Sequence, residues 1–287
     1  MRTSRYSRHM APGLAALMLI GCAAHAGSGS GSAAGDGAAT AENRRANDDA
    51  YAKWTSLRGY LAPADRPDGL LIVPPPPAPG SVAQKRDDEA SAAGLAQVGA
   101  PRFGQAALDA DLASARATSA FSCAAGFRLG PDTTPRLDSL LRRTLRDFGM
   151  GTKSAKDRYS RPRPFMVNER PTCSPGDEAL LRKDGSYPSG HSAGGFGWGL
   201  LLAELVPERS AQLVARGIAF GDSRRVCNVH WQSDIEAGRT VAAAVFARLH
   251  ADPAFVADMA AARAEIAALP ASAREVDCTR EAEALGS

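Results

Sequence analysis

The chain has 287 residues, room for one large domain or two small ones, and carries 34 Lys and Arg against 31 Asp and Glu. Three of the basic residues, Arg2, Arg5 and Arg8, precede a short apolar stretch at 11–20, the pattern of a secretory signal too short to span a bilayer as a mature helix. Without them 31 basic residues face 31 acidic ones, so charge predicts neither a nucleic-acid partner nor attraction to a membrane surface.

The signal is read over residues 1–26, with two competing cleavage sites. Ala24-His25-Ala26 fits an ordinary site, whereas Leu19-Ile20-Gly21-Cys22 fits a lipoprotein site that would leave a lipid anchor on Cys22. Either one sends the protein out of the cytoplasm, to the periplasm or beyond, free or tethered to the outer membrane. Residues 27–50, rich in Gly, Ser and Ala, read as a flexible linker and 51–71 as an N-terminal extension. Cys123, Cys173, Cys227 and Cys278 remain after Cys22. In an oxidising compartment they allow two disulfides in three connectivities, and their spacing argues against zinc.

Residues 72–269 read as a single all-α domain, followed by a tail at 270–287. The run Pro74-Pro75-Pro76-Pro77 predicts an extended arm laid over that domain. Helices are expected at 84–100 and 105–120. Another is expected at 136–148, where Leu137, Leu140, Leu141, Leu145 and Phe148 share a face and Gly149 and Gly151 end the pattern. The stretch 196–206 is apolar nearly all round and should be central. Helices at 209–220 and 232–250 follow, and Asp252-Pro253 starts one more, ending near 269. No alternating stretch is long enough for a convincing strand, and no mature segment offers a membrane span.

Three clusters carry chemistry. In Tyr187-Pro188-Ser189-Gly190-His191 a turn feeds a helix start, whose free N–H groups favour an anion, beside a side chain that exchanges protons near neutrality. His230 has Asp234 four residues on, so a helix beginning at or just before His230 would place both on one face. The carboxylate would then fix the imidazole tautomer. Ser223-Arg224-Arg225 and the restrained Arg161-Pro162-Arg163-Pro164, with Lys153 and Lys156, supply cations suited to phosphate oxygens. His250, at a helix end, reads as structural.

Lys156, Arg163-Pro164, Pro188-Ser189-Gly190-His191, Ser223-Arg224, His230 and Asp234 make eleven positions in three blocks. At this spacing the signature resembles that of the type 2 phosphatidic acid phosphatase superfamily, which includes vanadium haloperoxidases and bacterial class A non-specific acid phosphatases. The flanks Phe121-Ser122-Cys123, Lys183-Asp184-Gly185-Ser186-Tyr187 and Cys227 through Asp234 are similar to the class A enzymes in particular.

The resemblance implies an all-helical domain that hydrolyses small phosphomonoesters with no metal or other cofactor, and that also transfers phosphate to alcohols in some members. It implies His230 as nucleophile, Asp234 as the group orienting it, and His191 as general acid and then base. Lys156, Arg163, Ser189, Gly190 and Arg224 would hold the phosphoryl oxygens. Lys153 with Arg161 is a competing register, and Arg225 competes with Arg224. Tyr187 and Trp231 are candidates for contacting the leaving group. A haloperoxidase or lipid phosphatase of the same superfamily, and a non-catalytic phosphate-binding lipoprotein, are the alternative readings. Homo-oligomerisation is left open.

Overall fold

A computed structural model describes residues 58–286, and the expected signal peptide, Cys22, the linker and residues 51–57 lie outside it. The described chain has thirteen α-helices joined by turns and short 3-10 segments, with no strand among the described residues. They are α1 (Gly69–Ile72), α2 (Val82–Leu95), α3 (Pro101–Asp109), α4 (Ser122–Ala125), α5 (Pro135–Gly151), α6 (Lys153–Tyr159), α7 (Pro164–Asn168), α8 (Glu178–Leu181), α9 (Gly190–Leu205), α10 (Ser210–Val226), α11 (Gln232–Leu249), α12 (Pro253–Ala267) and α13 (Thr279–Leu285). None is long and apolar enough to cross a membrane.

The expected apolar centre is α9, packed against α5, α10 and α11. Trp198, Leu201 and Leu202 are fully buried on it, and each such side chain contributes about 1.5–3 kcal/mol by leaving water. The Trp198 indole N–H is not left unpaired: it donates to the Leu141 carbonyl of α5 at 2.7 Å. Glycine permits the closest approach. A Cβ on Gly199 would stand 2.8 Å from the Leu213 carbonyl oxygen of α10, so α9 and α10 meet nearly backbone to backbone.

Several helix limits differ from expectation. The stretch 105–120 is not one helix, because α3 ends at Asp109 and Asp111 turns the chain, its Oδ1 accepting from the N–H groups of Ala113 and Ser114. Gly149 and Gly151 do not end α5, which runs through Gly151. That glycine serves packing instead: a Cβ there would come 2.8 Å from Val245 Cγ2 of α11. The proline run lies along the body as expected, where Tyr187 Oη donates to the Pro74 carbonyl at 2.8 Å. The tail folds as well: α13 packs on α3, and Cys278 is bonded to Cys123. The other pair is Cys173–Cys227, which settles the connectivity of the four cysteines.

Candidate active site

The cavity of interest, about 740 Å³, opens where the starts of α9 and α11 meet the end of α10. Lys156, Arg163, Gly190, His191, Arg224 and His230 all line it. Ser189 is the N-cap of α9: its Oγ accepts from Ser192 N at 3.1 Å and from Ser192 Oγ at 2.9 Å. Ser189 is fully buried behind the cavity wall, whereas Gly190 and His191 begin the helix with N–H groups that have no carbonyl one turn earlier to bond.

The region of His230 is built differently from the expected shared helical face. Helix α11 starts at Gln232 with Trp231 as N-cap, so His230 precedes it. Asp234, in the first turn, reaches back: its Oδ2 accepts from Trp231 N at 2.9 Å and lies 3.2 Å from His230 Nδ1. Ser186 Oγ donates to the same oxygen and stands 3.3 Å from Nδ1. On the other side of the ring, Arg163 Nη1 is 2.9 Å from His230 Nε2. A guanidinium can only donate, so Nε2 presents a lone pair and Nδ1 carries the hydrogen facing Asp234.

His191 has the opposite arrangement. Its Nε2 lies 2.6 Å from the Asp109 carbonyl oxygen, which can only accept, so Nε2 bears hydrogen and Nδ1 is the exchangeable position. The ring stacks on Phe220, with centroids 5.1 Å apart and planes 14° apart. Burial lowers the pKa of both histidines well below the ordinary imidazole value. Arg224 is the next cause for His191 and Arg163 for His230.

The cations share a carboxylate that sequence reasoning missed. Asp184 Oδ2 accepts from Lys156 Nζ at 2.8 Å and from Arg163 Nη2 at 3.2 Å. Arg163, 1% exposed, is further fixed by the carbonyls of Leu181, Asp184 and Val229. Burial lowers Lys156 to about 8, Arg163 adding to the shift and Asp184 opposing it. Burial likewise lowers Arg224 to about 10, against the pull of Asp177. The Arg224 Nε is buried without a hydrogen-bond partner.

The two competing arginine registers separate here. Arg161 is buried away from the cavity lining and joins Asp87 and Asp234, each at 2.7 Å, with Ser233 and Gln84 completing its donors. Lys153 is exposed at the rim and paired with Asp157, and Arg225 donates to the Ala90 carbonyl on α2. His250 caps α11 and binds Glu204 at 2.8 Å, a structural placement. Tyr187 and Trp231 do not line the cavity: Tyr187 is held by Pro74, and the Trp231 indole Nε1–H donates to the Pro162 carbonyl. The rest of the lining mixes the apolar Ala110, Leu112, Leu145, Met150 and Leu180 with polar residues such as Asp111, Ser114 and Asp177. Among the described residues no three His, Cys, Asp or Glu side chains converge as metal ligands.

Residues 144–255 match the family described as the PAP2 superfamily. A non-specific acid phosphatase of Salmonella typhimurium is 42% identical over 219 residues, which is 75% of this chain and 88% of that protein. One from Providencia stuartii is 39% identical over 211 residues, 73% of this chain and 85% of the relative. An acid phosphatase of Zymomonas mobilis is 40% identical over 210 residues, 73% of this chain and 80% of its own.

Proposed function

The chain belongs to the PAP2 superfamily, among the non-specific acid phosphatases, and on that premise we propose that it hydrolyses phosphomonoesters through a phosphohistidine on His230. The observation that carries the reading is the setting of the His230 ring, with Nδ1 against Asp234 and Nε2 against the Arg163 guanidinium, which together call for hydrogen on Nδ1 and a lone pair on Nε2. Nucleophilic catalysis by imidazole needs that arrangement.

In the first step Nε2 of His230 forms a bond to phosphorus while the bond to the ester oxygen breaks. His191 gives the leaving oxygen a proton from Nδ1. The phosphorylated imidazole keeps its Nδ1 hydrogen, and Asp234 offsets the positive charge. In the second step a water oxygen attacks phosphorus and gives its proton to His191. The P–N bond then breaks, releasing inorganic phosphate and neutral His230. Lys156, Arg163, Arg224 and the Gly190 N–H hold the phosphoryl oxygens, and the Ser189 hydroxyl caps the helix that supplies that N–H. Fixed cations and donors of this kind provide most of the stabilisation that phosphoryl transfer requires. Before attack, Arg163 must exchange its bond to Nε2 for one to a phosphoryl oxygen.

Broad specificity fits a cavity that holds a cluster of cations for the phosphoryl group and much apolar lining, from Ala110, Leu112, Leu145, Met150 and Leu180, that makes no directional bond to a leaving group. Export, with two disulfides in the described domain, fits a periplasmic or secreted enzyme, and mass spectrometry of the mature N-terminus would tell a lipid anchor on Cys22 from ordinary cleavage. The direct test of the mechanism is p-nitrophenyl phosphate turnover in excess EDTA, with trapping of an acid-labile phosphoenzyme. Wild type should turn over and label, and His230→Ala should do neither. Activity lost to EDTA, or a label kept in the variant, would overturn the mechanism. Bromide oxidation by peroxide in the presence of vanadate checks the haloperoxidase alternative.

A further inference from the structure

His191 is held by a backbone carbonyl, and that carbonyl belongs to an unusually constrained residue. Asp109 is the last residue of α3 and is fully buried. Carbonyls at a helix end lack intrahelical partners and fray unless something else fixes them. Here the fixing group is the Asp109 side chain. Its Oδ1 receives Arg216 Nη2 at 2.5 Å and Gln105 Nε2 at 2.9 Å, while its Oδ2 receives Arg216 Nη1 at 3.2 Å and the Ser223 hydroxyl. Arg216, on α10, is itself buried. Its Nε donates to the Ala120 carbonyl at 3.0 Å and to Glu281 Oε2 at 3.2 Å. Glu281 belongs to α13, in the tail at 270–287 and beyond residues 144–255 that match the family, and the Cys123–Cys278 disulfide anchors that helix just before its first residue.

We propose that Glu281 and Arg216 are positioning residues for His191, so that the C-terminal helix serves proton transfer to the leaving group. The route is continuous: the Glu281 carboxylate orients the Arg216 fork, the fork clamps the Asp109 carboxylate, and the clamped residue aims its carbonyl at His191 Nε2–H. Arg216 is already held by both Asp109 oxygens and by the Ala120 carbonyl, and Glu281 adds a second carboxylate on the Nε side of the fork. A forked guanidinium with a carboxylate on each side has one orientation. Proton transfer is sensitive to such aim, since misplacement by about 1 Å can cost on the order of 100-fold in rate.

The proposal rests on His191 being the general acid, and the test separates the two ideas. General-acid help matters most when the leaving group is a poor one. We would measure kcat/KM for p-nitrophenyl phosphate, phenyl phosphate and an alkyl phosphate in wild type, Glu281→Gln, His191→Asn and the double variant. Glu281→Gln should lose about tenfold on the alkyl ester and less than about twofold on p-nitrophenyl phosphate, a fraction of the roughly 100-fold or more that an acid supplies. In the His191→Asn background it should add no selective loss, because the two act through one group. Equal losses on all esters, no loss, or a further selective loss in the double variant would each overturn the proposal. A flat leaving-group response in His191→Asn itself would instead overturn the acid role. If Glu281→Gln proves unfolded by circular dichroism, Arg216→Lys, which keeps the charge and removes the fork, should show the same selective loss.

Discussion

Arg161 Nη1 donates to Asp234 Oδ1 at 2.7 Å, while the other oxygen of that carboxylate faces His230. Arg161 also holds Asp87, so one buried guanidinium balances two buried carboxylates behind His230. Arg161→Met should therefore lower stability by about 3–5 kcal/mol, the usual cost of stranding a buried charge. It should lower kcat roughly tenfold or more while leaving inhibition by inorganic phosphate within about twofold, since Arg161 lies outside the cavity lining. Urea unfolding and phosphate inhibition of the purified variant check both halves.

Arg163, two residues on, should behave in the opposite way. Removing a charged donor from a phosphate ligand costs about 1.5–3 kcal/mol, which is roughly 10- to 100-fold in the inhibition constant for phosphate. Arg163→Ala should show that loss together with a large fall in kcat/KM. Arg163→Lys should recover only part of it, because a point charge cannot bond His230, Asp184 and three carbonyls at once.

The depressed histidines fix the sign of the pH response. Proton donation needs His191 charged, and burial followed by Arg224 pushes its pKa below the usual ~6.5. On a substrate whose own titration lies outside the range, kcat/KM should fall with rising pH through a midpoint under about 6.5. A bound phosphoryl dianion favours the imidazolium, so the single-turnover rate at saturation should fall at a higher pH than kcat/KM does. For stability, a group that binds protons less readily when folded contributes fully above the unfolded pKa and loses that contribution as pH drops below it. Tm should therefore decline on acidification below about 6.5, and part of that decline should vanish in His230→Asn.

The Cys173–Cys227 bond closes a loop across 54 residues, and Cys227 lies three residues before His230. Replacing both cysteines by serine should cost about 2–4 kcal/mol in urea unfolding. Asn228, in the left-handed region at φ 61°, still has the Arg170 carbonyl and Asn168 to hold it, so the folded variant should retain activity.

How much of this was legible before any coordinates divides along a physical line. The eleven signature positions are local blocks at helix starts and ends, where spacing alone brings a cap, a free N–H and a side chain together, so the cavity residues could be named in advance. Of the two arginines in Arg161-Pro162-Arg163-Pro164, spacing pointed to the cavity residue, but the job of Arg161 needs Asp87, 74 residues away, to be seen. Asp184 lies in the Lys183–Tyr187 motif, but its task is not legible there, since Lys156 and Arg163 are brought near it only by the fold. Asp109 could not have been found from residue type, because it acts on His191 through a main-chain oxygen that every residue possesses. Helix α11 starts at Gln232, where the helix at 232–250 was expected, so the shared face that needed a start at or before His230 does not form. A box of Trp231 N–H and Asp234 gives the same His230–Asp234 proximity as a shared helical face would.

Every one of the eight proposed site residues, from Lys156 to Asp234, falls between Cys123 and Cys278 in the chain. The site is therefore enclosed in a covalent ring, closed by a bond that removes about 5 kcal/mol of loop entropy from the unfolded chain. A single proteolytic cut within that ring would open it without parting the two halves. A molecule nicked once within the ring keeps all eight of these residues covalently joined and can refold around them as one piece.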